Sequence, residues 1–197
     1  KFKFQYCTAD ENEIFNHNSN TLFIATQHDT HAKYVISGLN NTCNVFVEKP
    51  LCLTFDELEV IKSRVEEKEK HVMVGFNRRF APPIQEIKKM FAKEQTKSIT
   101  IRVNSGVLPP GHWINDSEIG GGRIIGEACH FIDLAMFLAD SPIISVSADS
   151  LDDKNKLSNT IVVNLKMENG SVASVNYFAN GNKAVPKESI EVFCGGT

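Results

Sequence analysis

Between residues 21 and 76, short apolar runs take turns with amphipathic stretches, and few folds tolerate that rhythm. Thr21 to Thr26 (TLFIAT) reads as a strand buried on both faces. A helix is expected from about Asp29, with Ala32, Val35, Ile36 and Leu39 on one face. Asn44 to Glu48 is the next strand, and Thr54-Phe55-Asp56-Glu57 is a capping box opening a second helix with Leu58, Ile61 and Val65 inward. His71 to Phe76 (HVMVGF) follows as a third strand. Upstream, Lys1 to Tyr6 is expected as a short strand, and Thr8 to Glu11 as the cap of a short helix. Strands separated by helices cannot pair as hairpins; they build parallel βαβ units with right-handed crossovers. The expectation is half of an open α/β sheet.

The rhythm then changes. Pro82-Pro83 opens a helix carrying Ile84, Ile87 and Phe91, and Ser98 to Asn104 alternates as a strand. Residues 142–149, 159–167 and 171–179 read as strands, the last two joined by a turn at Glu168-Asn169-Gly170 whose Asn-Gly supplies positive φ angles. Strands joined by hairpins imply an antiparallel sheet. The fold class is therefore α/β, a partial parallel sheet over residues 1–80 followed over 81–197 by an α+β domain with a mostly antiparallel sheet. Because the chain starts abruptly on an expected strand and stops in Phe193-Cys194-Gly195-Gly196-Thr197, immediately after another strand pattern, a piece of a longer protein is expected.

Ligands in open α/β sheets bind outside the carboxyl ends of the strands. Three such ends are polar here: Thr26-Gln27-His28-Asp29, Glu48-Lys49-Pro50 and Gly75-Phe76-Asn77-Arg78-Arg79. Two readings fit Lys49. Either the strand simply ends in solvent, or it delivers an ammonium that donates a proton or hydrogen bond to a substrate oxygen. A cis Lys49–Pro50 bond would turn that side chain inward.

The second constellation is GHWINDSEIGGGRIIGEACHFIDLAMFL, residues 111–138. Gly120 to Gly122 let the backbone pass close to something, and a mostly buried helix from Arg123 carries Glu127, His130 and Asp133. His130 is either a satisfied core histidine or a cleft acid/base. Glu127, Cys129, His130 and His112 are competent metal ligands, but their spacing matches no standard zinc pattern, so no metal is assigned. For His28 and His31, capping and nucleotide contact outrank metal ligation; Trp113 divides between ligand contact and loop packing.

Four runs taken together, IATQHDTHAKYVISGL, VFVEKPL, VGFNRRFAP and GGGRIIGEACHFIDL, resemble the glucose–fructose oxidoreductase/inositol dehydrogenase (Gfo/Idh/MocA) family of NAD(P)-dependent oxidoreductases. The resemblance implies an N-terminal Rossmann domain and a C-terminal α/β domain whose open sheet face mediates homo-oligomerisation. It implies that Lys49 and His130 are the catalytic pair, in one cleft between the domains. Thr26, His28, His31, Glu48 and Lys49 would line NAD or NADP, while Asn77, Arg79, Trp113 and Glu127 would meet a sugar, cyclitol or nucleotide-sugar substrate. Similar runs in bacterial dehydrogenases tied to surface-polysaccharide synthesis extend that expectation to polysaccharide biosynthesis. Two departures stand out. Gly126 occupies the position four before the histidine where many relatives carry aspartate, with Glu127 next to it. The G-x-G-x-x-G turn is absent and is expected upstream of residue 1.

Composition bounds the partners. A net charge of −3, with mixed signs in the densest run from Arg64 to Lys70, gives no electrostatic reason for nucleic acid or an anionic membrane. No apolar run reaches membrane-spanning length, and five scattered cysteines without a CxxC pair suggest reduced thiols in the cytoplasm. Two alternatives to an oxidoreductase remain: a non-catalytic sensor or scaffold, suggested by Gly126, and a metal-dependent hydrolase using His130 and Glu127.

Overall fold

The structure, a computed structural model, describes residues 3–17, 19–91, 95–109, 111–152 and 157–197. The chain divides into two compact units, Lys1–Gly75 and Phe76–Thr197.

In the first unit, β1 (Thr21–Ile24), β2 (Asn44–Val47) and β3 (Val72–Val74) pair in parallel and in sequence order. Two successive right-handed crossovers between neighbouring strands lay both helices on one face of the sheet. These are α1 (His28–Asn40) and α2 (Phe55–Lys68). Their inward residues Ala32, Val35, Leu39 and Ile61 close over Ile24, Val45 and Val47 to form the core. Gly38 lets α1 approach closely: a Cβ there would lie 3.0 Å from both Leu22 and Val45 side chains. The capping box at Thr54 forms as its spacing predicts, with Thr54 Oγ1 accepting from the Glu57 amide.

Three expectations for this unit are corrected. Residues 3–6 carry no strand, and Lys1 and Phe2 lie outside the described residues. The segment after Thr8 is a 3₁₀ helix, Glu11–His17, in which Thr8 Oγ1 and Asp10 Oδ1 accept from amides two residues on; it is not a capping-box α-helix. β1 is not buried on both faces. The register aligns Phe23, Phe46 and Met73 across the sheet on the side opposite the helices, where Phe23 is 73% and Met73 51% exposed. Among the described residues that side stays open.

The second unit is built on a five-stranded sheet, ordered β5-β6-β7-β4-β8. Its strands are β4 (Ser98–Asn104), β5 (Ile143–Ser150), β6 (Ile161–Met167), β7 (Val172–Phe178) and β8 (Glu188–Phe193). The expected hairpin between β6 and β7 forms, its turn closed by the Met167 amide on the Ser171 carbonyl, but of Asn169 and Gly170 only Gly170 has positive φ, at 91°. β4 and β7 run parallel inside an otherwise antiparallel sheet. One face packs on α3 (Pro82–Met90) and α4 (Cys129–Ala139), burying Ile101, Val103, Val175, Phe131, Leu134 and Leu138. The expected helix from Arg123 runs unbroken to Ala139, but it opens in a π-helical turn at Ile124–Ala128 before α4, and that turn leaves Ile125 38% exposed rather than buried.

Candidate active site

Parallel pairing puts the carboxyl ends of β1, β2 and β3 side by side, and the ladder continues past them. The Glu48 amide donates to the Ile24 carbonyl and the Gly75 amide to the Val47 carbonyl, both at 2.8 Å. Thr26, Glu48 and Lys49 are thereby brought to one edge of the first unit. Glu48 and Lys49 are half-buried and Thr26 is exposed. The Lys49–Pro50 peptide is cis, as the sequence suggested. The Glu48 carboxyl lies flat against Gly75, where a Cβ would stand 3.2 Å from its carboxyl carbon. Glycine at the third tip therefore makes room for the carboxylate delivered by the second.

The two histidines of α1 sit deeper than Thr26. His28 is 5% exposed, His31 is 0% exposed, and their rings are 5.7 Å apart. Each ring nitrogen of His31 faces a backbone carbonyl, Nδ1 towards Pro50 and Nε2 towards Thr26. Nearby, burial pushes the Cys52 thiol above its usual range, with the Glu57 charge adding to the shift, so it stays a thiol near neutral pH.

The other candidates lie in the second unit. Asn77 and Arg79 occupy a 3₁₀ turn, Asn77–Phe80, in which Asn77 is exposed. Arg79 forms a two-point ion pair with Asp133 of α4, one bond being Nε to Oδ2 at 2.6 Å. Its hydrogen bonding to that carboxylate, outweighing the opposing effect of desolvation, pushes the guanidinium pKa further up. Arg78 pairs with Glu188 at 2.6 Å and lies 4.8 Å from the centre of the Phe131 ring. The NRR turn is thus anchored at two places in its own unit.

His130, 8% exposed, stands on the first turn of α4 with the Phe76 ring edge-on at 5.9 Å. Glu127, in the π turn, is tied down: Tyr177 donates its hydroxyl to the carboxylate, and Arg123 Nη2 does so at 3.1 Å. Arg123 is itself buried, its Nη1 donating to the Gly106 carbonyl at 2.6 Å. Trp113 is half-buried in a short 3₁₀ turn beside His112, whose Nδ1 accepts from the Ile114 amide. Gly120 backs onto the Ile114 main chain with no space for a Cβ. Close backbone approach thus accounts for the first glycine of the triplet.

Sequence reasoning missed the partners more than the residues. Asp133 was visible as a polar break on an apolar helix, but its arginine is 54 positions away. Tyr177 gave no signal at all, reading as one more inward strand residue. The ligand set considered for a metal is not assembled: among the described residues no group of three or more His, Cys, Asp or Glu side chains is placed to hold one. Among the same residues no helix is long and apolar enough to cross a membrane.

Comparison with known proteins follows the same division. Residues 1–76 match the family model described as oxidoreductase family, NAD-binding Rossmann fold, and residues 86–195 match the GFO/IDH/MocA C-terminal domain. The scyllo-inositol 2-dehydrogenase (NAD(+)) of Bacillus subtilis (strain 168) is 33% identical over 129 residues, covering 64% of this chain and 37% of that enzyme. The crystal structure of an NAD-binding protein from Listeria innocua superposes with a TM-score of 0.71 at 28% identity, over 87% of this chain and 52% of that one. Levoglucosan dehydrogenase, solved with NADH and levoglucosan, reaches a TM-score of 0.84 over 97% of this chain and 56% of its own; at 22% identity it shows the shared fold. The chain thus spans roughly half or less of the length of these three relatives. With both of its units matched in order, the chain belongs to the Gfo/Idh/MocA oxidoreductase family.

Proposed function

We propose that the protein carrying this chain is a nicotinamide-dependent dehydrogenase that oxidises a ring alcohol of a cyclitol, sugar or nucleotide sugar, or reduces the corresponding ketone. The observation that carries this reading is the half-buried Lys49, set at the tip of β2 between two parallel neighbours in the unit matched by the NAD-binding family model. The B. subtilis relative, a cyclitol dehydrogenase by name, supports the substrate class. A dinucleotide fits the tips: exposed Thr26 offers a hydroxyl, and the Glu48 carboxylate, flat on Gly75, offers acceptors to ribose hydroxyls.

When bound, NAD or NADP supplies the hydride acceptor. The chain's own residues manage the proton and the geometry. As the alcohol carbon loses hydride, its oxygen loses a proton. Lys49 holds that oxygen by a hydrogen bond, and His130 takes the proton as general base. Asn77 and Trp113 are assigned to substrate hydroxyls. Arg79 and Glu127 act at one remove, since their charges are already committed to Asp133 and to Arg123 with Tyr177. Such chemistry draws on the cytoplasmic nicotinamide pool, and a nucleotide sugar of surface-polysaccharide synthesis belongs among the candidate substrates.

The test is to follow reduced nicotinamide absorbance while screening cyclitols, sugars and nucleotide sugars with NAD and with NADP. Turnover on at least one ring alcohol is expected. A second reading, a sensor that binds without reacting, is favoured by the engagement of Glu127, which leaves it poorly placed to replace the carboxylate missing at Gly126. Saturable dinucleotide and sugar binding with no turnover would establish that reading and remove the first.

Self-association is assigned to the outward face of the five-stranded sheet, which presents Thr100, Arg102, Asn164, Ser174 and Asn176. A second arginine in the middle of that face, Asn164→Arg, places like charges against each other across a two-fold contact. Light scattering is expected to show the variant at half the mass of the parent or less. An unchanged mass would remove the sheet face from the assembly.

A further inference from the structure

A fully enclosed side chain lies beneath the strand tips and takes no part in the chemistry above. The His31 Nδ1 is 2.6 Å from the Pro50 carbonyl oxygen, and its Nε2 is 3.1 Å from the Thr26 carbonyl oxygen. Those two carbonyls belong to the loops that follow β2 and β1, so one ring spans both tips. The far end of the β2–α2 loop is fixed separately: the Leu53 and Thr54 amides donate to Glu57 Oε2 at 2.9 and 3.1 Å. Upstream, the Glu48 amide is held by the Ile24 carbonyl at 2.8 Å. Lys49 therefore lies between two anchored backbone groups, the Glu48 amide and the Pro50 carbonyl, and the direction in which its side chain leaves the backbone follows from both.

We infer that His31 is a positioning residue, whose ring sets the path of the backbone at Lys49-Pro50 and so aims the Lys49 ammonium. The inference rests on Lys49 being the reactive group of the proposed dehydrogenase. With 0% exposure the ring cannot meet a dinucleotide, so its influence travels through the backbone it contacts. Burial alone would be served by any side chain of similar size. The Pro50 contact at 2.6 Å is what distinguishes a donor from a filler.

Asparagine, glutamine and leucine separate these roles. An asparagine amide nitrogen sits where Nδ1 sits, a glutamine amide nitrogen approximates Nε2, and leucine fills space without donating. The experiment compares His31→Asn, His31→Gln and His31→Leu by the ¹H–¹³C signal of reductively methylated Lys49, identified by its loss in Lys49→Met. Asn is expected to keep the signal at its parent position. Gln and Leu are expected to move it while the other lysine signals stay. In the assay above, kcat for Gln and Leu should fall by about 10²-fold, with KM for the dinucleotide unchanged, as for a misplaced group remote from the chemistry. A Lys49 signal unmoved in Leu, or moved alike in all three, overturns the inference. Should Leu fail to fold, the Asn-against-Gln contrast decides alone. Full turnover in Lys49→Met would instead overturn the dehydrogenase role of Lys49 and leave the spectral result standing, so the two failures are distinguishable.

Discussion

Lys49→Met is expected to lower turnover by about 10²–10⁴-fold, the usual worth of a positioned proton-transfer or hydrogen-bonding group, and to leave the fold intact. Methionine keeps an unbranched stem of similar length, so packing around the half-buried side chain changes little while the ammonium is removed. The neighbouring backbone is held by groups the substitution does not touch: the Glu48 amide on Ile24 and the Pro50 carbonyl on His31. An unfolding midpoint within a degree or two of the parent is therefore expected, together with near-normal dinucleotide affinity. Steady-state kinetics and a thermal melt followed by circular dichroism, on the same preparations, check both halves. Parent-like turnover would end the assignment of chemistry to Lys49.

Arg79→Met is expected to cost the most stability among the site variants, about 2 kcal/mol. The reason is what it leaves behind. Asp133, with a side chain only 9% exposed, loses the cation that faces both of its oxygens. Stripping one partner from a buried pair costs about 3–5 kcal/mol, and the 38% exposure of Arg79 scales that down because water already shares the site. Arg79→Met with Asp133→Leu removes both charges and should recover most of the loss, since replacing both partners by apolar groups is close to neutral. If Arg79 instead served to bind substrate, the single variant would raise KM at unchanged stability, and the double variant would rescue nothing. Chemical denaturation of the two singles and the double, read as a cycle, separates the cases.

Much of this architecture could be read from residues alone, and the reason is local. β4 falls where alternation places it, Ser98–Asn104, because one face meets a core and the other does not. The Thr54 cap and the amphipathic face of α1 are likewise written within a few positions of themselves. What escaped notice depends on groups far apart in sequence. Nothing near Ser98 announces that β4 will run parallel to β7, 74 positions later. Nothing near Glu127 announces Tyr177, and nothing in NRRF says which acid each arginine will find. The π turn was hidden for another reason: its apolar pattern is that of a buried α-helix, and no residue type in it marks the change of hydrogen-bond spacing. For the candidate residues the same division holds. Thr26, Glu48 and Lys49 were found together because strand polarity brings them to one edge, whereas the enclosed state of His31 is a tertiary fact.

The row formed by Phe23, Phe46 and Met73 has a practical consequence for anyone handling this chain in solution. Exposed Phe23 and Met73 flank a half-buried Phe46, whose ring lies 5.3 Å from that of Phe23, so the row leaves apolar surface facing water on a folded molecule. Fluorescent dyes that brighten on apolar surfaces will adhere there before any melting begins, giving a high starting signal and a blurred transition. Calorimetry or circular dichroism, blind to that strip, is the sounder gauge of its thermal limits.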